Sequence, residues 1–360
     1  LKYKSSSLGM SMPCIGQGMG EYPWTEDQVS TIRRGIDLGS NFIDTGENYD
    51  NGNSEKIIGK AIDGIRDKVI IGTKFDIKNS SYDKVIYSLE GSLKRLNTDY
   101  IDLYQMHWPS LSVPFEETIS AMSDLLKQGK IRNMGIGNVY INQIKEIVKI
   151  VPSIYSIQME YSLFDRLVEK DIIPYCEDNG ILFIAYTPTY HGNICLNKSK
   201  VDKLKKIAIK YKKTAIQLNL RWLISKKSVV VIPSTSNVKH LESNIDSVNF
   251  DIGDDDISII DSLFSQESFD INPKDIEVSL FGEYNREVYT SMSEAMDNKL
   301  NSNPSPLELS EQLKKDDFIK PVHLLKKHDG KYDLIGGRIR YWAWVIAFND
   351  KPIPSYIINK

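Results

Sequence analysis

The sequence predicts an α/β protein: a (β/α)8 TIM barrel followed by a small α+β domain. Three observations predict it. Short apolar segments alternate with amphipathic helical stripes from about residue 14 to about residue 266, with roughly eight of each. Several apolar segments are nearly continuous, as parallel strands buried on both faces are. After Gln266 the alternation stops. A doubly wound open sheet would share the alternation, but no G-x-G-x-x-G opens the first helix. The look-alike GQGMG at 16–20 lies in the wrong register.

In chain order, the strand candidates are 14–18, 41–44, 69–75, 100–107, 134–138, 156–161, 182–187 and 229–233. Between them lie helical stripes. Thr25-Glu26-Asp27-Gln28 has the capping-box pattern and precedes Val29, Ile32 and Ile36. Val85, Leu89, Leu93 and Leu96 make the next stripe. Ile119, Met122 and Leu126 follow, with Gly129 where a terminating glycine belongs. Further stripes are Ile144, Ile147 and Val148; Ile172 and Tyr175; Leu204, Ile207 and Tyr211; Ile216, Leu220 and Leu223; and Ile257, Ile260 and Leu263. The segment 268–273 reads as a linker, which sets the domains at 1–266 and 271–360. Within the second, 331–343 reads as a strand turning into a helix at Gly336-Gly337.

Composition narrows the function. Of 360 residues, 41% are hydrophobic and 26% charged, which is globular. A formal net charge of −3 argues against a nucleic-acid or anionic-membrane partner, and no apolar run approaches a membrane span. The N-terminal stretch lacks a signal-peptide core. Cys14, Cys176 and Cys195 are odd in number and far apart, which suits a reduced, cytoplasmic protein. The five histidines show no metal-ligand spacing, so no metal is expected. Oligomeric state is not legible.

Catalytic groups of a barrel belong at the carboxyl ends of its strands. Those ends carry Asp44, Lys74, His107, Asn138, Gln158, Tyr186, Pro233 and Ser234, with Tyr49 one loop beyond Asp44. Each alone has a structural explanation; gathered at one end of one barrel they form a candidate site. After Tyr49, the stretch 50–55 returns the chain to a helix.

The stretches FIDTGENYDNGNSE, VIIGTKF, SLKRLNTDYIDLYQMHWP, GKIRNMGIGN, QMEYSLFDR, GILFIAYTP and VVVIPSTSNVKHLESN carry a resemblance. From about residue 3 to about residue 264 the chain resembles the aldo-keto reductases. The resemblance implies an NAD(P)H-dependent reductase acting on an aldehyde or ketone, or running in reverse. It implies a catalytic tetrad of Asp44, Tyr49, Lys74 and His107. A phenol with a reference pKa of about 10 is a poor acid until a neighbouring positive charge favours its phenolate. Lys74 would supply that charge, Asp44 would hold Lys74, and His107 would donate to the forming oxyanion.

The same resemblance implies that Asn138 and Gln158 hold the nicotinamide carboxamide. Tyr186 would stack on the ring, with Thr187 beside it. Pro233, Ser234, Thr235, His240 and Asn244 would meet the adenine side. Gly46, Gly137, Thr187 and Thr189 depart from the usual Ala, Ser, Ser and Leu. Ser234 and His240 stand where many members place Lys and Arg for the 2′-phosphate, with Lys239 as the compensating charge. NADPH is the expected cofactor, with NADH the alternative. Tyr22, Trp24, Trp108 and Tyr190 would line the mouth of a carbonyl pocket.

In the second domain, INPKDIEV, IKPVHLL, YDLIGGRIRYWA and DKPIPSYII resemble the ParB N-terminal and sulfiredoxin-like fold. The resemblance implies a phosphate or nucleotide pocket at Gly336, Gly337, Arg338 and Arg340. Arg338 takes the place of the sulfiredoxin cysteine, so thiol chemistry is excluded there. No basic footprint supports DNA binding. A competing reading makes the barrel a redox-sensing regulator and this domain its nucleotide-dependent effector.

Overall fold

The structure, a computed structural model, describes residues 2–20, 23–189, 198–278, 288–302, 304–316, 319–327 and 329–358. The chain divides into two units, 1–194 with 201–264, and 195–200 with 265–360.

The first unit opens with an antiparallel hairpin, β1 (Tyr3–Ser5) and β2 (Ser11–Pro13). Eight parallel strands follow: β3 (Gln17–Gly18), β4 (Phe42–Asp44), β5 (Ile70–Phe75), β6 (Leu103–Met106), β7 (Met134–Gly137), β8 (Ile154–Glu160), β9 (Leu182–Tyr186) and β10 (Val229–Val231). Each pairs with its neighbour in sequence. Parallel bridges Ile15–Val231 and Gly18–Ser234 join the first to the last. The sheet therefore closes, and the open doubly wound alternative is ruled out.

Helices α1 (Val29–Asp37), α2 (Asn53–Ala61), α3 (Tyr82–Leu96), α4 (Phe115–Lys127), α5 (Ile141–Ile150) and α6 (Ile172–Asn179) follow strands in turn. Helices α7 (Lys198–Lys210), α8 (Ala215–Ser225), α9 (Val238–Ile245) and α10 (Asp254–Leu263) complete the series. Their stripes, including Ile32, Leu89, Ile119 and Leu220, share one core with strand residues such as Ile71, Tyr104 and Phe183. The capping box forms: the Thr25 N–H donates to Gln28 Oε1 at 2.8 Å. Gly129 adopts φ +73, which suits the glycine that ends α4.

Several expectations need correction. The strand expected over 14–18 is only Gln17–Gly18, and that over 100–107 is Leu103–Met106. Neither the hairpin nor α9 was among the expected elements, although Val238, Leu241 and Ile245 of α9 stand at helical spacing. In α4 it is Leu125, not Leu126, that is fully buried, and in α8 Ile216 is exposed.

In the second unit the stretch read as a linker is a strand, β11 (Ser268–Ile271), antiparallel to β15 (Ile353–Ile358). With β12 (Ile276–Glu277), β13 (Val322–Lys326) and β14 (Tyr332–Gly336) it makes a mixed sheet ordered β11-β15-β13-β14-β12. Polar Ser268 and Asp270 gave the stretch a linker-like appearance, and as an edge strand with one partner it leaves even Phe269 exposed. Helices α11 (Met292–Met296), α12 (Pro306–Asp316) and α13 (Arg338–Phe348) belong to this unit. Val322, Leu324, Leu334, Trp342 and Ile353 lie in its core.

Candidate active site

Side chains alternate across a strand, so each barrel strand sends every second residue inward. Phe42, Leu103, Leu182, Ile184 and Val230 form an apolar cluster with Met12 of the hairpin. Two residues further on, the chemistry changes. Asp44 follows Phe42, Gln105 follows Leu103, and Tyr186 follows Ile184. The barrel has an apolar floor and a polar upper interior.

Asp44 and Lys74 are 2% and 1% exposed. Lys74 Nζ lies 2.6 Å from Asp44 Oδ2 and donates to the Thr45 carbonyl oxygen at 2.5 Å. A buried ammonium without such acceptors would tend to shed its proton. Asp44 Oδ1 accepts from Gln105 Nε2 at 3.0 Å and from Gln158 Nε2 at 2.8 Å. Both oxygens of the buried carboxylate are thus bonded, as a tolerable buried ion pair requires. Gly72, on β5, keeps the space clear: a Cβ there would lie 3.3 Å from Asp44 Oδ1.

Tyr49 begins a 3-10 turn, Tyr49–Gly52. Asp50, Asn51 and Gly52 have φ of +48, +53 and +81, a left-handed run that swings the chain from Tyr49 into α2. The Asp50 carboxylate pins this turn by accepting from the Trp24 N–H at 3.0 Å and from the Asn53 amide at 2.8 Å. Lys74 Nζ is 5.1 Å from the centre of the Tyr49 ring. The Tyr49 hydroxyl is 3.5 Å from His107 Nε2, with the two rings edge to face. Burial, helped by the positive charge of Lys74, pushes the His107 imidazole down to about 3. It is therefore neutral at working pH, with one N–H and one lone pair. The structure brings together all four residues of the expected tetrad.

A second ring of contacts supports them. Glu55 is fully buried; it accepts from Thr73 Oγ1 at 2.6 Å and from Arg95 Nε at 2.6 Å. Thr45 Oγ1 meets Ser54 Oγ at 2.8 Å. The residues flanking Lys74 and Asp44 are thereby tied to α2 and α3. Gln105 and Glu55 were missed by sequence reasoning. A signal existed for Gln105: it is two residues before His107 in YQMHWP, so it shares the inward face.

Asn138 (φ +56) donates from Nδ2 to the His107 carbonyl at 2.9 Å and accepts from the Tyr186 hydroxyl at 2.8 Å. Thr187 also has a left-handed φ, of +50. Gln158 directs its amide nitrogen to Asp44, which turns its amide oxygen the other way. Amide side chains at strand ends, with a tyrosine among them, suit a neutral carboxamide and an aromatic ring. The residues present fit a nicotinamide. Pro233 and Asn244 are buried, Thr235 is half-buried, and Ser234 and His240 are exposed. Ser234 Oγ accepts from the Gly20 N–H at 3.1 Å. The Asn237 side chain caps α9 by accepting from the N–H groups of Lys239 and His240. Trp24 is 3% exposed and donates to the Gly20 carbonyl, whereas Trp108, beside His107, is 42% exposed. Tyr22 and Tyr190 lie outside the described residues. Among the described residues, no group of three or more His, Cys, Asp or Glu could hold a metal ion.

In the second unit, Gly337 (φ +85) precedes α13. Arg340 Nη1 donates to the carbonyls of Lys320 and Pro321, and Arg338 Nη2 to that of Leu334. Both guanidinium groups thus bond to backbone.

Comparison with known proteins points one way. The aldo/keto reductase family model matches residues 14–264. Methylglyoxal reductase YeaE of Escherichia coli (strain K12) is 34% identical over 262 residues, covering 71% of this chain and 92% of the relative. The NADH-specific methylglyoxal reductase of the same organism is 27% identical over 308 residues, covering 71% and 93%. The crystal structure of an aldo/keto reductase from Klebsiella pneumoniae in complex with NADP and acetate superimposes with a TM-score of 0.69. It is 29% identical, covering 73% of this chain and 95% of that one.

Proposed function

The chain belongs to the aldo/keto reductase family and is an NAD(P)H-dependent oxidoreductase, and from that premise we propose that it reduces small aldehydes or ketones, with Tyr49 as proton donor. The observation that carries this reading is the buried Lys74–Asp44 pair beside the Tyr49 ring. When bound, the nicotinamide cofactor supplies the two electrons of the reduction. Asn138 and Gln158 would hold its carboxamide, with Tyr186 and Thr187 flanking it. Pro233, Ser234, Thr235, His240 and Asn244 would meet its adenine side. Tyr49 donates its proton to the carbonyl oxygen, and the charge of Lys74 favours the phenolate left behind. Neutral His107 orients the carbonyl through one hydrogen bond. Trp24 and Trp108 line the pocket.

Relatives named for methylglyoxal support a small reactive dicarbonyl as substrate class. NADPH is the leading cofactor and NADH the alternative; the kcat/KM ratio for the two decides. Replacing Tyr49 with Phe should lower methylglyoxal turnover by about a hundredfold or more, since positioned proton transfer contributes that much. Wild-type turnover in Tyr49→Phe would sink the mechanism.

For residues 271–360 we infer a ParB/sulfiredoxin-like domain that recognises a nucleotide or a phosphate-bearing partner. A strand, two glycines and the start of an eleven-residue helix support it. With Arg338 and Arg340 bonded to backbone carbonyls, the first N–H groups of α13 are the expected phosphate donors. Titration of ATP, CTP and ADP against the full chain tests this, and no saturable binding with or without magnesium removes it.

A further inference from the structure

Gln105 is fully buried inside the barrel, one layer above the apolar floor of Phe42, Leu103 and Val230. Its Nε2 donates to Asp44 Oδ1 at 3.0 Å. Its Oε1 is buried with no hydrogen-bond partner among the described residues. Leaving a buried amide oxygen without a donor is unfavourable, and leucine or methionine would fill the space without that cost. The neighbouring strand is also cut to fit. A Cβ on Gly135 of β7 would stand 2.7 Å from Ser156 Oγ, 2.9 Å from Gln105 Cγ and 3.2 Å from Gln105 Oε1. Gly135 thus leaves room for the Ser156 and Gln105 side chains together, and the buried amide at 105 is one that packing alone would not select.

What the glutamine supplies is a second neutral donor to one carboxylate. Asp44 Oδ2 holds Lys74, the charged group bonded to it, with Tyr49 and His107 beyond. Asp44 Oδ1 is shared by Gln105 and Gln158. On the reading above, Gln158 also faces the cofactor, so its amide is pulled by two ligands. Among the described residues, Gln105 bonds Asp44 alone. We propose that Gln105 is a positioning residue for the reduction: it fixes the plane of the Asp44 carboxylate, and through it Lys74, whatever Gln158 does. The proposal rests on the assignment of Asp44, Lys74 and Tyr49 as the proton-delivery group.

The test uses Gln105→Leu and Gln105→Met in the full chain, with methylglyoxal and NADPH. In each, kcat should fall about tenfold or more, as small misplacements at a reacting centre do. The NADPH Kd, read by fluorescence, and the methylglyoxal KM should stay within about twofold. Tyr49→Phe is measured beside them. If it keeps wild-type turnover, the tetrad assignment fails and this proposal with it. If it loses turnover while both Gln105 variants keep kcat, Gln105 is core filling and the proposal alone falls. Loss of NADPH affinity at unchanged kcat would instead make Gln105 a cofactor ligand, and overturn it. Failure of both variants to fold would overturn it as well, by making the role structural.

Discussion

Asp44 and Lys74 are held by each other and by little else that carries charge. Breaking such a pair from one side leaves an uncompensated buried ion. Lys74→Met should therefore destabilise the fold by about 3–5 kcal/mol, measured by urea unfolding; a loss below about 1 kcal/mol would show that Asp44 reaches water once Lys74 is gone. His107 has a different signature. Its folded-state value, about 3, lies below the ordinary value of 6.5. Below 6.5 the unfolded chain binds a proton that the folded chain refuses. The stability this neutral imidazole contributes is thus fully present above pH 6.5 and is lost progressively as pH falls toward 3, at no more than about 1.4 kcal/mol per pH unit. His107→Gln should flatten that part of the stability–pH curve, and an unchanged slope would refute the assignment. At this scale the sequence was informative wherever a polar residue ended an apolar run, as with Asp44, Lys74 and His107. Gln105 stayed hidden because it lies inside its run, where composition alone reads as strand.

Elements matter here through what ties them to the strand ends. Thr73 points away from the barrel interior, between Gly72 and Lys74, and reaches Glu55 of α2. Arg95 of α3 closes the link. Glu55→Gln keeps the shape but weakens both bonds, and should cost about 2 kcal/mol, seen as a fall of several degrees in Tm. Turnover should change little, since Glu55 bonds the outward-facing neighbour of Lys74 and not Lys74 itself. A large kcat loss at unchanged Tm would reverse that division. The strands were legible because each is a short apolar run between turn residues. Helix α9 was not: in its eight residues only Leu241, Asn244 and Ile245 are buried. Its apolar Val238, Leu241 and Ile245 do stand at helical spacing, but Val238 is 37% exposed, so the buried face is narrow. Its start is set instead by the Asn237 cap, a signal easily read as loop chemistry.

For the whole molecule, alternation predicted a barrel, but closure depends on long-range pairs that no local pattern encodes. Ile15 meets Val231 and Gly18 meets Ser234 across more than two hundred residues. The same limit explains the segment 268–273. Ser268–Ile271 carries polar, exposed residues, so it looks like a tether; it is a strand only because β15 is there to pair with it. That difference is testable in the full chain. Adjacent strand residues direct their N–H groups to opposite sides, and β11 is an edge with one partner. One of Phe269 and Asp270 must therefore donate toward β15. Proline at that position removes a ladder bond, while proline at the other faces solvent and is tolerated. Phe269→Pro and Asp270→Pro should differ: one speeds hydrogen exchange across Ile353–Ile358 and lowers the stability of the second unit, and the other does neither. A tether would give two silent variants. An asymmetric pair would establish that Ser268–Ile271 is a strand of the second unit.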